Sequence, residues 1–416
     1  MGELVENVVA GATPKTSVDD YWNGGDIPWL SSGEVHKKFI YFTDKFITSE
    51  GYNNSSTKIV PTNSVLIALA GQGKTRGTVA INKIELCTNQ SIASIIPNEM
   101  LNYKYLFYYL ESKYEYLRAL SSSDGGRGGL NLKLIRSIPI QVPSIKEQEN
   151  ISNFINEIDK KILLLEQKHK LYDDFKKYLM QQIFTQKLRF DFSDEWKIVK
   201  LESLIKKGKA GGTPSSTNSD YYNGDIPFLS IKDMTDQGKY IVKTEKTITE
   251  EGLNNSSAWI IPKNSLLYSI YASIGLVAIN RSDISTSQAI YGIILKDGVS
   301  LEYMYYYLTY FKKNIHKYIE TGTQGNLNAK LLKSFEILLP SLGEQEMIVN
   351  VLSIVDEKIE NSKKEIEKIN EFKKGLLQQM FVVRINWRCN FKLVKSPSFN
   401  KHLLILKNKI IFIIIK

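Results

Sequence analysis

Residues Pro143 to Phe184 read PSIKEQENISNFINEIDKKILLLEQKHKLYDDFKKYLMQQIF. Nothing after Pro143 breaks a helix. Ser144 and Glu147 stand at the spacing of a capping box, in which each side chain satisfies an orphan backbone donor. Apolar or long side chains then recur at Ile151, Ile155, Ile158, Ile162, Leu165, His169 and Tyr172, in alternating steps of four and three. That is the seam of a coiled coil. Past Tyr172 the phase slips, and Phe175, Leu179 and Ile183 carry the seam on, as at a stutter. Roughly 40 helical residues at about 1.5 Å each make a rod on the order of 60 Å long. Such a rod cannot bury its own stripe and needs a partner helix.

The same chain holds one. A displacement of 197 residues leads to Pro340, Ser341 and Glu344, the same cap, then to Ile348, Leu352, Val355, Ile359, Ser362, Ile366, Ile369, Phe372, Leu376 and Met380. The slip recurs at the same place, and LMQQIF at 179–184 returns as LLQQMF at 376–381. The pattern predicts two long helices pairing within one chain.

The chain has 416 residues, enough for two or three domains. Apolar residues make up 43%, ample for a core. Two cysteines, Cys87 and Cys389, and four scattered histidines offer neither a disulfide framework nor metal-site spacing, which suits a reducing cytosol. Met1 is followed by acidic and polar residues, unlike a signal peptide. The net charge of +10 points to nucleic acid, but its location weakens the signal. Eight basic residues and no acidic ones lie at 382–416, so the rest of the chain carries only +2. Any case for DNA must rest on local loops.

Residues 1–142 alternate short apolar runs with Gly, Pro, Asn and Ser: DIPWL, KFI, KIVP, SVLIALA, TVAI and SIASIIP. They read as strands of a mixed domain. A tyrosine-rich helix follows, from about Tyr103 to Leu120, then the loop DGGRGGLN. Residues 196–339 repeat this order. Gly11-Ala12-Thr13-Pro14 returns as Gly211-Gly212-Thr213-Pro214, NGGDIPWLS as NGDIPFLS, EGYNNSS as EGLNNSS, and VAIN at 79–82 as VAIN at 277–280. Asn89-Gln90 returns as Ser287-Gln288, and Leu130-Asn131 as Leu327-Asn328. A period this long is a tandem duplication. The plan is a domain at 1–142, a helix at 143–184, a linker at 185–195, a domain at 196–339, a helix at 340–381 and a basic tail at 382–416.

This ordered set, G-x-T-P, N-G-D-I-P-[WF]-L-S, E-G-x-N-N-S-S, V-A-I-N, [NS]-Q and P-S-x-x-E-Q-E, resembles the DNA-specificity subunit of type I restriction–modification systems across residues 2–381. The resemblance implies an α+β fold, with two repeated mixed α/β target recognition domains separated by two long helices paired as an antiparallel coiled coil. It implies a cytoplasmic, non-catalytic subunit in which each domain reads one half of a bipartite double-stranded DNA site. The helices would set the spacing and dock modification (methyltransferase) subunits, two in number, with restriction (endonuclease/translocase) subunits joining. S-adenosylmethionine, ATP and Mg would be held by those partners and no cofactor by this chain, and no membrane is involved. Geometry agrees: if a pseudo-two-fold axis relates the repeats, the rods pack antiparallel with the domains at opposite ends. Two domains on one face of DNA should sit about 34–36 Å apart. The competing classes are a free-standing bipartite DNA-binding regulator and a coiled-coil scaffold. An adjacent adenine methyltransferase gene would discriminate them.

Within the first block, Ala68 to Thr75 reads ALAGQGKT, close to a P-loop. A P-loop opens a helix, whereas RGTVAIN reads as the next strand, so nucleotide binding is disfavoured. A glycine-rich tip carrying Gln72, Lys74, Thr75 and Arg76 could approach phosphates or base edges, or be a solvated turn. Arg127, in GGRGG, has the same two readings. Its counterparts Gln324 and Asn326 offer amides that suit adenine where arginine suits guanine, so the halves should read different sequences. Ser31 in block one, with Lys232, Tyr271 and Ser273 in block two, completes the candidate DNA-contact set. The tyrosines 103, 105, 108 and 109, and 303 and 305–307, read as core at helical spacing. Asp194, Glu195 and Lys197 only loosely resemble a nuclease site and read as a solvated turn. No N-P-P-[YF] or D-P-P-[YF] tetrapeptide for amino-methylation is present.

Block two opens with EWKIVKLESL at 195–204, whereas block one starts at the equivalent of its last few residues, GELVEN. About eight residues of a first strand have no counterpart there. The tail departs from the repeat and is expected to be disordered or artefactual. The competing expectation is that residues near Phe391 to Lys395 supply the missing strand. The IIFIII run at 410–415 is too short to span a membrane.

Overall fold

The computed structural model describes residues 1–71, 74–120, 129–317 and 327–381. The tail, and with it both expectations about it, lies outside them. The described residues fall into two compact units: Met1–Leu164 together with the segment from Ile366 to Phe381, and Leu165–Glu365. Each unit thus holds one block, the first half of one long helix and the second half of the other.

Unit 1 contains β1 (Val5–Ala10), β2 (Ile27–Leu30), β3 (Phe39–Ile40), β4 (Lys45–Ile47), β5 (Val65–Ala68), β6 (Val79–Asn82), β7 (Cys87–Thr88) and β8 (Ile92–Pro97). Unit 2 contains β9 (Lys197–Lys200), β10 (Ile205–Ala210), β11 (Tyr222–Leu229), β12 (Tyr240–Ile241), β13 (Lys246–Ile248), β14 (Leu266–Ser269), β15 (Val277–Asn280), β16 (Ser285–Thr286), β17 (Ile290–Leu295) and β18 (Glu336–Leu339). The main sheets have orders β1-β8-β5-β6-β3 and β10-β17-β14-β15-β12, the same path in both repeats. A bulge after the first residue of β1 recurs in β10. The small sheets, β4-β2-β7 and β13-β11-β16, also match. Unit 2 adds the antiparallel pair β9·β18.

The central strands are apolar without alternation because both faces of the sheet are covered. Successive side chains point to opposite faces. Val65, Ile67, Val79 and Ile81 pack under the tyrosine helix, whereas Leu66, Ala68 and Ala80 pack against Leu30, Val35 and Val60 on the other side. Asn82 closes VAIN with a structural job: its amide donates to the carbonyls of Pro61 (2.8 Å) and Ile84 (3.0 Å), as Asn280 does to Pro262 and Ser282.

The tyrosine helix of unit 1 is broken at Lys113 into Tyr103–Ser112 and Tyr114–Leu120, where one helix was expected. Of the tyrosines expected in the core, Tyr105, Tyr108 and Tyr109 are buried, as are Tyr303 and Tyr305 to Tyr307, while Tyr103 is half-buried.

The long helices run uninterrupted over Ile145–Phe184 and Leu342–Phe381. Of the expected seam, Ile151, Ile155, Ile158, Ile162, Leu165, Ile348, Leu352 and Val355 are buried, while Ile359 and Ile366 are half-buried. Within each unit the two helical segments run antiparallel. In unit 1 Lys373 bonds Asp159 (2.7 Å), and Leu377 and Phe381 share a core with Ile151 and Ile155. In unit 2 Lys176 bonds Asp356 (2.5 Å) and His169 Nδ1 meets Ser362 Oγ (2.7 Å), a polar layer between two expected seam positions.

Two seam expectations are corrected. Phe175 is 50% exposed, and the late seam of the second helix falls on Lys373, Leu377 and Phe381, which are buried, rather than on Phe372, Leu376 and Met380. The cause is a second partner. The last turns of each helix also pack on a tyrosine helix, with Phe381 edge-on to Tyr105 and Tyr109, and Phe184 against Tyr303 and Tyr307. Burial therefore follows both neighbours. The capping box is half made. Ser144 Oγ accepts from the Glu147 N–H at 3.4 Å, but the Glu344 carboxylate instead takes Arg189 Nη2 and Trp196 Nε1, each at 2.9 Å.

The following glutamine anchors each helix. Gln148 accepts from the Asn102 N–H (2.8 Å) and donates to the Met100 carbonyl, and Gln345 accepts from the Ser300 N–H (2.8 Å). Each block is thereby tied to the helix that follows it.

Candidate nucleic-acid interface

Most repeated motifs are architectural. A side chain at Gly11 would meet the Thr88 carbonyl oxygen at 1.8 Å, and one at Gly51 the Tyr21 carbonyl at 2.6 Å, so both glycines allow backbone crossings. Ser31 and Ser230 cap the helices that follow them through Glu34 and Asp233. The interface must therefore be sought where the repeats differ.

The tip at 69–78 joins β5 to β6 in an antiparallel hairpin, which excludes a P-loop. Thr75 builds the turn, its carbonyl accepting from the Thr78 N–H (3.0 Å) and hydroxyl (2.6 Å), and Gly77 takes φ +83°. Lys74 is exposed; its carbonyl accepts from the Tyr114 hydroxyl (2.8 Å), which in turn accepts from Arg118 Nη1 (2.9 Å). The Leu130 N–H donates to the Leu69 carbonyl (3.1 Å). The hairpin root and the end of the glycine-rich loop therefore sit side by side.

Unit 2 repeats the arrangement with other residues. The loop after β14 is held by the Ser269 hydroxyl donating to the Ser273 carbonyl (2.8 Å), and Leu327 donates to the Ile270 carbonyl (3.3 Å). Ala272 and Ser273 adopt φ +44° and +25°, a strained backbone for non-glycine residues, of the kind that clusters at functional loops. Tyr271 is exposed beside them. Lys312 packs its methylenes near Gly275, as Arg118 does near Gly77. Neither hairpin sequence contains an acidic residue. Local positive charge thus flanks both tips although the bulk charge is small.

Of the candidate residues, the structure brings Lys74, Thr75 and Arg76 together in unit 1, and Tyr271 and Ser273 in unit 2. Gln72, Arg127, Gln324 and Asn326 lie outside the described residues. Ser31 and Lys232 are engaged elsewhere: the Ser31 hydroxyl bonds Glu34 (3.2 Å), and Lys232 forms an exposed ion pair with Glu245 (2.7 Å). Sequence reasoning missed a further exposed pair. Thr13 Oγ1 donates to Gln90 Oε1 (2.7 Å), and Thr213 to Gln288 likewise. Its signal was present, because both partners belong to repeated motifs. Asp194 and Glu195 are exposed, as a turn requires.

One consequence is testable at once. Lys74→Ala removes an exposed cation from a hairpin tip. It should weaken DNA binding on every sequence and reduce the salt slope by about 1. A loss confined to one sequence, measured by titration at several salt concentrations, would place Lys74 on a base edge instead.

The family model described as the type I restriction modification DNA specificity domain matches residues 1–171 and 193–371, one match per repeat. The type I restriction enzyme MjaIX specificity subunit of Methanocaldococcus jannaschii is 35% identical over 210 residues. That match spans 49% of this chain and 46%, about half, of the relative. The MjaVIII specificity subunit of the same organism is 24% identical over 411 residues, 92% of each chain. A chain in a solved structure, described as the structural basis of complex assembly and conformational transition of the type I R-M system, aligns with a TM-score of 0.60 at 16% identity. It covers 91% of this chain and 95% of that one, and shows the fold.

Proposed function

Because the chain belongs to the family of type I restriction–modification DNA specificity proteins, we propose that it reads a bipartite double-stranded DNA site, one half with each unit. One observation carries the reading. The two units share one sheet order and one loop placement, yet present different side chains at the corresponding loops. A common scaffold with different tips suits two different half-sites. The cations of the first tip, Lys74 and Arg76, supply phosphate contacts in unit 1, and the loops with Arg127 or with Gln324 and Asn326 supply the base contacts.

The long helices act as the ruler between half-sites and as the docking surface for modification subunits, two of them, with restriction subunits joining the complex. Their outer faces support this: Leu171, Phe175 and Tyr178, spaced four and three apart on one helix face, are 68%, 50% and 58% exposed. The chain itself performs no chemistry. S-adenosylmethionine, ATP and Mg act on the partner subunits, and the complex works in the cytoplasm, where its DNA lies. No helix among the described residues is long and apolar enough to cross a membrane.

The test is a block exchange. Replacing residues 1–142 with the equivalent block of a homologue, and mapping methylated adenines in cells carrying the chimaera, should change one half-site and leave the other. A change in both halves would end the modular reading.

A further inference from the structure

The two units differ at their hairpin tips but agree at one exposed pair beside them. In unit 1 Thr13 Oγ1 donates to Gln90 Oε1 (2.7 Å), and in unit 2 Thr213 does the same to Gln288. Both glutamines are exposed.

Each pair stands where three segments meet. The threonine belongs to a loop that crosses the neighbouring strand closely: a side chain at Gly11 would collide with the Thr88 carbonyl, and one at Gly211 with that of Thr286. The residue after the threonine, Pro14 or Pro214, is buried. The glutamine stands in the turn from β7 to β8, or from β16 to β17. Backbone bonds close that turn. The Asn89 N–H donates to the Leu30 carbonyl (3.0 Å) and the Ile92 N–H to the Asn89 carbonyl (3.2 Å). In unit 2 Ser287 donates to Leu229 (3.1 Å) and Ile290 to Ser287 (3.1 Å). The side-chain pair is therefore not needed to make the turn. One residue beyond the glutamine, the Ser91 carbonyl accepts from the Leu69 N–H (2.8 Å), and the Ala289 carbonyl from the Ile270 N–H (2.8 Å). Leu69 and Ile270 are the hairpin roots that also hold Leu130 and Leu327. Each glutamine thus sits beside the hairpin and the end of the neighbouring loop.

The chemistry of the pair is one-sided. The threonine engages the amide oxygen, and the amide nitrogen has no hydrogen-bond partner among the described residues. Each glutamine therefore offers donors outward. A glutamine that reads adenine uses both ends of its amide, at N6 and N7, and here one end is engaged. Phosphate oxygens are acceptors, and contacts to them position a protein on the duplex without reading its sequence. Identity between the units points the same way. Tips that differ suit different half-sites, whereas a group that both units share suits what every half-site has, its phosphate backbone. Unit 2 has the greater need of such a group, since its hairpin, 270–276, holds no lysine or arginine.

Resting on the reading of each unit as the reader of one half-site, we propose that Gln90 and Gln288 each donate to a phosphate oxygen of the DNA. Thr13 and Thr213 orient the amides, and each contact seats its unit in one register on its half-site.

Selection from a pool of randomised duplexes with the full chain, followed by titration of the selected duplex, tests this. Gln90→Ala and Gln288→Ala should each bind about tenfold more weakly, the loss of one hydrogen bond to a charged group. Both should select the wild-type sequence with an unchanged salt slope, because a neutral amide releases no counterion. Gln90→Lys keeps a donor and adds a charge, so it should bind at least as tightly as wild type, with a slope steeper by about 1. Alanine variants that bind as wild type would overturn the proposal and leave the half-site reading intact. So would a relaxed preference at one base pair, which would put the glutamine on a base edge. A Gln90→Lys chain that binds no better than Gln90→Ala would also overturn it, making the pair a piece of the fold. A wild-type chain that selects no sequence would instead end the half-site reading, and this proposal with it.

Discussion

Ile155→Asp should unfold unit 1. Ile155 is fully buried, in a core shared with Ile151, Leu377 and Phe381. A carboxylate there is taken out of water into an apolar core. The mechanism belongs to those that cost roughly 4–5 kcal/mol or more, a large share of the ~5–15 kcal/mol that holds a domain folded. The matching change in unit 2 is Leu352→Asp, also fully buried. Hydrogen exchange should show the amides of β5 and β8 losing protection in the first variant, and those of β14 and β17 in the second. Ile155→Val, which keeps the site apolar, should cost only about 0.5–1.5 kcal/mol. If Ile155→Asp melts like Ile155→Val, the helices do not bury this seam.

Lys373→Met should be nearly as damaging, by a different route. The Lys373 side chain is 7% exposed and bonds both Glu111 (2.8 Å) and Asp159 (2.7 Å). Asp159 also accepts from the Tyr108 hydroxyl (3.0 Å), and Lys38 holds the other oxygen of Glu111 (2.8 Å). Removing the shared cation leaves Asp159 without its ion pair and Glu111 with one partner. Breaking a buried pair in this way costs on the order of 3–5 kcal/mol. The pH dependence identifies the cause. Burial alone would raise the Glu111 pKa, but the charges of Lys373 and Lys38 outweigh it and hold the carboxyl below its ordinary value. A carboxylate with a lowered folded pKa contributes stability above its unfolded pKa, and that contribution is lost as pH falls through the folded value. The gap between wild type and Lys373→Met in urea unfolding should therefore be wide at neutral pH and narrow below about pH 4. A gap that does not change with pH would mean that packing, not charge, is what Lys373 supplies. Lys176→Met removes the corresponding cation from Asp356 in unit 2.

The sequence alone determined what depends on period and order. Two long helices followed from steps of four and three between Ile151 and Tyr172, because only a helix brings such positions onto one face. Duplication followed from motifs recurring in one order, and the family from the same motifs. The hairpin at 69–78 was legible because RGTVAIN has a strand's composition where a P-loop would have a helix.

What remained hidden in the sequence is whatever depends on which surfaces meet. The move of the late seam to Lys373, Leu377 and Phe381 could not be read from one helix, because those turns are buried by a tyrosine helix as well as by the partner helix. Lys373 reads as a solvated lysine until Glu111 and Asp159, remote in sequence, close around it. Ser31 and Lys232 gave no sign in the sequence of their partners in the fold, Glu34 and Glu245. Thr13 and Gln90 looked like separate motif letters until the β-strands brought them within hydrogen-bond reach. Periodicity is a local property that each segment carries with it. Partner choice among side chains is a property of contacts between distant segments, and only the tertiary structure brings those segments together.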